Sequence, residues 1–176
     1  MELKDNKKVT SGFTLIEVMV VIAIVGILSA IAVPGIVAKL PDYRLRSAAR
    51  DIVSCLQEAK MRAVKENATA AIIFDVANDQ YTAWVDNGWS GGAGNWWPDT
   101  NVGEIVFKQI TLPAGIQFYQ NTTFTANTFG FNSRGIPATT VGTVFISNNK
   151  SNYRSIIVSS AGNIRVLKSS DGINFN

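Results

Sequence analysis

The sequence contains no histidine and a single cysteine, Cys55, in 176 residues. Without imidazole there is no Ser-His-Asp or Cys-His nucleophile, no His-containing zinc cluster and no His-ligated haem. One thiol cannot close an intramolecular disulfide. Charge is scarce too: Asp, Glu, Lys and Arg make up 16% of the chain, against roughly 25% in soluble domains. The 16 basic and 13 acidic residues leave a net charge of +3. That is too little to draw the whole chain to nucleic acid. No phosphate-cradling glycine loop, nucleophile elbow or paired-carboxylate arrangement stands out, so neither an enzyme nor a cofactor is expected. The length allows one modest domain with an extension.

What the sequence does have is an apolar excess, 47% of residues, and most of it lies early. Residues 1–12 are polar and carry Lys4, Lys7 and Lys8. From Phe13 to Val33 the only charge is Glu17. A helix of that length spans roughly 31 Å, about one hydrocarbon core. Three readings compete. A secretory signal peptide, cut after Ala30-Ile31-Ala32, fits the basic start, but its apolar stretch is ordinarily shorter and free of carboxylate. A plain membrane anchor leaves Glu17 unexplained, because a buried charge costs about 2.5 kcal/mol at the bilayer centre and less toward an end. In the third reading another chain supplies a partner for Glu17.

The segment Gly12-Phe13-Thr14-Leu15-Ile16-Glu17, with its basic leader, its apolar run and Pro34 at the end, resembles the processing region of type IV pilins and type II secretion pseudopilins. The resemblance implies that prepilin peptidase cuts between Gly12 and Phe13 and that the new amino terminus of Phe13 is N-methylated. It implies that Glu17 stays in the membrane helix and meets the freed amine of a neighbouring subunit during assembly. Two charges that are each costly in low dielectric offset much of that cost as a pair. Pro34 lacks an N–H and clashes one turn back, and with Gly26 it weakens the helix. The family keeps such a segment partly unwound in assembled fibres.

Residues 42–66 read as an amphipathic helix. Leu45, Ala49, Ile52, Leu56, Ala59 and Ala63 form its apolar stripe. Cys55 falls one position off it and is expected half-buried. Seven basic and four acidic residues occupy 39–66, mostly as a solvated face. Lys39, Arg44, Arg46 and Arg50, just past the apolar run, are placed to touch lipid headgroups. After Asn67 the pattern changes to period two. Strands are expected at 71–76, 81–85, 104–110, 115–119, 128–132, 142–147, 153–159 and 163–168, with turns at Ala77-Asn78-Asp79 and Ser160-Ala161-Gly162. The expected fold is α+β and pilin-like: a long N-terminal transmembrane helix forming a stem, packed on a C-terminal antiparallel β-sheet head. The expected divisions are 1–12 (leader), 13–41 (membrane and assembly helix with a Pro kink), 42–66 (stem) and 67–176 (head).

The segments 129–137 and 142–144, the strand Ile156-Ile157-Val158-Ser159 and the run Gly162-Asn163-Ile164-Arg165-Val166 are similar to minor pseudopilins of the GspH/FimT kind. This resemblance implies a structural subunit that initiates or caps a pilus or a secretion pseudopilus. Its partners would be other pilins, prepilin peptidase and the bacterial inner membrane, crossed once with the head in the periplasm. Some FimT-like minor pilins bind DNA through a Gly-Arg-x-Arg motif. The matching stretch is Gly162-Asn163-Ile164-Arg165, which lacks one of the two cations. A DNA-binding minor pilin is therefore the alternative, with Lys150, Arg154, Arg165 and Lys168 expected as one small patch on a hairpin. Trp84, Trp89, Trp96 and Trp97 are all the tryptophans of the chain and flank or lie within a Gly/Asn-rich stretch. They are expected to form a partner-docking surface, because exposed tryptophan is normally avoided unless used. Asp75, Asn78, Asp79, Asp86 and Asn87 lack EF-hand spacing; a solvated turn is expected there and no metal.

Overall fold

The computed structural model describes residues 12–86 and 105–175. One helix, α1 (Leu15–Lys65), comes first. Eight strands follow: β1 (Thr69–Asp75), β2 (Gln80–Asp86), β3 (Ile105–Thr111), β4 (Ile116–Phe118), β5 (Thr128–Phe131), β6 (Gly142–Asn148), β7 (Tyr153–Val158) and β8 (Ile164–Ser169). The chain divides after Lys39 into two compact units.

In the first unit the helical side chains are exposed all around, including Leu15, Ile16, Val21, Ile24, Leu28 and Ile36. An all-round apolar helix with no protein against it suits lipid or other apolar helices, not water. The stretch is long and apolar enough to cross a membrane. The two segments expected from sequence, 13–41 and 42–66, belong to a single helix. Pro34 and Pro41 lack the N–H that would bond the carbonyls of Ala30 and Val37, so the backbone ladder has two open steps while the helix continues.

In the second unit, both sheets are antiparallel and four-stranded, ordered β3-β2-β1-β5 and β4-β6-β7-β8. Each pattern of alternation puts one row inward: Ile72 and Phe74 on β1, Tyr81, Ala83 and Val85 on β2, Val144 and Ile146 on β6, Ile156 and Val158 on β7. These rows join one core with Leu45, Ala48, Ala49, Ile52, Cys55, Leu56, Ala59 and Ala63 of α1. Every stripe residue expected from sequence is buried. Cys55 is 1% exposed, not half-buried. Two sheets cover a wider arc of helix than one stripe, so a second row through Ala48 and Cys55 is enclosed as well. Phe124 stacks on Phe74 at 6.0 Å and lies 4.8 Å from Phe129, which meets Phe131 edge-on at 4.9 Å. Such pairs add about 0.5–1.5 kcal/mol each beyond their buried area.

The β1–β2 turn is closed by Asp75: Oδ1 accepts from the Asn78 N–H (3.2 Å) and Oδ2 from the Asn78 side-chain amide (2.7 Å). Asp79 Oδ1 accepts from the Phe118 N–H at 2.8 Å. Those carboxylates are occupied by protein donors, and no metal-holding cluster occurs among the described residues.

Candidate functional site

The amino-terminal segment is built around a helix start. Thr14 Oγ1 accepts from the Glu17 N–H at 3.3 Å and the Thr14 carbonyl accepts from the Val18 N–H at 3.3 Å. Thr14 is therefore the N-cap, with Glu17 three residues on, the spacing of a capping box. The sequence carries this signal in Thr14-x-x-Glu17. Only the threonine half is closed: the Glu17 carboxylate has no hydrogen bond or ion pair among the described residues. It borders a shallow apolar groove with Phe13, Val18, Val21 and Ile22. Phe13 is 85% exposed and follows Gly12 in non-helical backbone ahead of α1. Among the described residues, the bond expected to be cut lies in exposed, non-helical backbone. Pro34 lies within the exposed apolar stretch of α1.

The four cations expected as one patch fall apart. Arg154 and Lys168 are register partners on β7 and β8, and they share the face of Ile156 and Val158, which looks toward α1. Arg165 pairs with Ile157 and therefore projects from the opposite face. Lys150 sits in the β6–β7 turn. Sequence reasoning set Arg46 and Arg50 of α1 apart, at the lipid headgroups, and missed that Arg46 lines the same cleft as Arg154 and Lys168; Arg50 donates to the Arg46 carbonyl at 3.3 Å.

Trp84 corrects the docking expectation. It lies in β2, is 0% exposed and has no accessible surface to offer a partner. Its strand bulges against β3 between Ala83 and Trp84, and its indole N–H has no hydrogen-bond partner among the described residues. Trp89, Trp96 and Trp97 lie outside the described residues.

Lys60 ties three parts of the second unit together. Its ammonium donates to the Gly162 carbonyl at 3.2 Å and lies 5.9 Å from the Phe131 ring centre. Gly162 adopts φ +72°, and a Cβ there would stand 3.1 Å from the Gly135 carbonyl oxygen. The turn that matches the DNA-binding motif of the resembled family is thus packed against the helix at its glycine. At the other end of the head, Asp42 Oδ1 accepts from the side-chain amides of Asn148 (2.8 Å) and Asn152 (2.7 Å).

An apolar helix exposed along the first unit and leading into an antiparallel β head, with the Glu17 carboxylate unpaired among the described residues, is the architecture of a helix-anchored subunit. The comparisons agree. Residues 48–162, more than half of the chain, match the family described as type II transport protein GspH. Residues 7–33 match the prokaryotic N-terminal methylation motif. The chain belongs to the GspH family and is a type IV pilin-like structural subunit. Among curated relatives, the type IV major fimbrial protein FimA of Dichelobacter nodosus is 46% identical over 61 residues, 35% of each chain. The type IV major pilin PilE1 of Neisseria gonorrhoeae is 31% identical over 121 residues, 69% of this chain and 55% of its own. The match thus spans about a third of the first protein and about half of the second. In fold, the chain is similar to the minor pseudopilin EpsH of Vibrio cholerae (TM-score 0.51, 18% identity, 70% of this chain and 96% of that one). It is similar to the minor pilin FimU of Pseudomonas aeruginosa (TM-score 0.53, 17% identity, 77% and 94%).

Proposed function

We propose that this chain is a minor pilin or pseudopilin that is cut by prepilin peptidase between Gly12 and Phe13 and N-methylated on Phe13. The apolar helix then holds it in the inner membrane, with the head in the periplasm, until it enters a filament at initiation or at the tip. Residues 1–12 act as leader, 13–41 as membrane and assembly segment, 42–66 as stem and 67–176 as head. The observation that carries this reading is Glu17: a carboxylate in the first turn of an exposed apolar helix, with no partner among the described residues. Cleavage before Phe13 places an ammonium four residues ahead of it. In parallel packed helices one subunit's amine then reaches the next subunit's Glu17 and sets the axial step.

The test has two parts. Mass spectrometry of the native polypeptide is expected to find an amino terminus at N-methylated Phe13; a terminus elsewhere refutes the reading. Glu17→Ala is expected to insert in the membrane normally and to lose crosslinks to partner pilins. Crosslinking at the wild-type level would refute the role of Glu17.

A further inference from the structure

Between α1 and the β7–β8 pair lies a cleft of about 380 Å³ that the filament reading does not use. Its walls carry three cations from three elements: Arg46, Arg154 and Lys168. Two carboxylates border it, and both are already engaged. Asp42 holds the amides of Asn148 and Asn152. Asp171 accepts from the Ser169 hydroxyl, from the N–H groups of Ile173 and Asn174 (2.9 Å each) and from the Asn174 side chain (2.7 Å). Those bonds hold the Asp171 carboxyl far below its usual range, the Ser169 hydroxyl foremost.

Neither carboxylate pairs with the cations. Among the described residues, the ion pairs are made by Glu58 and Glu66 with Arg62 and Lys108. The buried Nε of Arg154 has no hydrogen-bond partner among the described residues. Burial draws the Arg154 guanidinium below its ordinary value, and the charges of Arg46 and Arg50 draw it down further; the attraction of Asp42 is the weakest influence. Like charges held in a half-closed cleft whose carboxylates are committed elsewhere form an arrangement that an anion relieves.

The position selects the anion. Leu40, at the end of the exposed apolar run, precedes Arg46 by six residues, about 9 Å along a helix. Exposed Tyr43 and Arg44 stand between them. An amphipathic aromatic and basic side chains closing an apolar run are the composition of a membrane–water interface. We propose that Arg46, Arg154 and Lys168 bind the phosphate of an anionic phospholipid headgroup in this cleft. The proposal rests on the membrane reading of the apolar helix. Nucleic acid is disfavoured because Arg165 projects from the opposite sheet face, so the cations make a socket for one group and no track for a polymer.

The test uses the full-length protein in nanodiscs of phosphatidylcholine doped with phosphatidylglycerol. Lipids retained after mild detergent extraction are counted by native mass spectrometry. Retained phosphatidylglycerol is expected to exceed its share of the bilayer and to fall about fivefold for each cation removed in Arg46→Gln, Arg154→Gln or Lys168→Gln. Arg165→Gln is expected to change nothing. Arg46 is exposed, so its variant keeps the test decisive if Arg154→Gln fails to fold. Equal retention by wild type and variants overturns the proposal. Flotation on pure phosphatidylcholine vesicles reads the membrane assignment separately: protein that floats without lipid preference overturns the headgroup site alone, and protein that does not float overturns both. Binding of inorganic phosphate or of a short DNA duplex, abolished in these variants and without lipid preference, reassigns the cleft and overturns the lipid.

Discussion

Glu17 is where one side chain's energetics decide the most. Its place at the third position of α1 lets the helix dipole favour a negative charge by about 0.3–1 kcal/mol. A carboxylate within hydrocarbon costs about 2.5 kcal/mol at the centre and less near an end. The dipole offsets only part of such a cost, so a nearby cation remains the stronger explanation. Glu17→Gln separates the two accounts. It keeps the size and a capping amide while removing the charge, so incorporation into filaments is expected to fall as far as in Glu17→Ala. Wild-type incorporation of the Gln variant, measured by crosslinking to partner pilins, would mean that capping is the residue's role. Cys55 behaves oppositely: its neighbours suppress its chemistry. Burial, opposed weakly by Lys108 and reinforced by Glu58, pushes the thiol up from 9.0 to about 12. A raised pKa in the folded chain favours the neutral thiol. Its contribution to stability is thus complete below pH about 9 and is lost as pH rises toward 12. Native protein at pH 8 is expected to resist iodoacetamide, and urea-unfolded protein to react fully; rapid labelling of folded protein would contradict the enclosed position.

At the scale of elements, the helix stripe and the Gly162 turn hold the head together. Leu56 is fully buried in the core that α1 shares with both sheets. Leu56→Ala is expected to cost about 2–5 kcal/mol, read from the urea midpoint of the head's unfolding; a shift below half a kcal/mol would deny the shared core. Gly162→Ala meets a left-handed backbone and the Gly135 carbonyl together, and is expected to cost about 1–3 kcal/mol in the same assay. These elements were legible in the sequence. Alternation and turn residues located all eight strands within a residue or two, because buried rows at period two leave a strong mark. Trp84 was misjudged because it occupies the outer face of β2, opposite the inward Tyr81, Ala83 and Val85, and no local pattern announces that this face is covered as well. The cation patch failed on parity. Arg165 and Lys168 are three residues apart and so point to opposite faces, which the strand pattern already implies. Arg46 and Arg154 are 108 positions apart, and only the packing of α1 on β7 brings them to one cleft; no local pattern announces that.

One helix serves as the common wall of both sheets, and this fixes how the whole molecule unfolds. The two sheets share a single buried cluster through Ile52, Leu56 and Ala59, while the side chains of residues 15–39 are exposed throughout. Removing either sheet would open the one cluster that both share with the helix, where Phe74 of β1 also meets Phe118 of β4 edge-on at 5.9 Å, so neither sheet keeps its core when the other opens. The second unit is therefore expected to unfold as one cooperative body, although its strands fall into two separate hydrogen-bonded sheets. Residues 15–39 have no share in that core, and in detergent their amides are kept from water by the micelle. Hydrogen exchange of the full-length protein in detergent, followed at increasing urea, reads both statements at once. Amides of β2 and of β7 are expected to converge on one opening free energy, with residues 15–39 following a separate and flatter dependence. If β7 opened at lower urea than β2, the sheets would be independent and the shared core would not couple them.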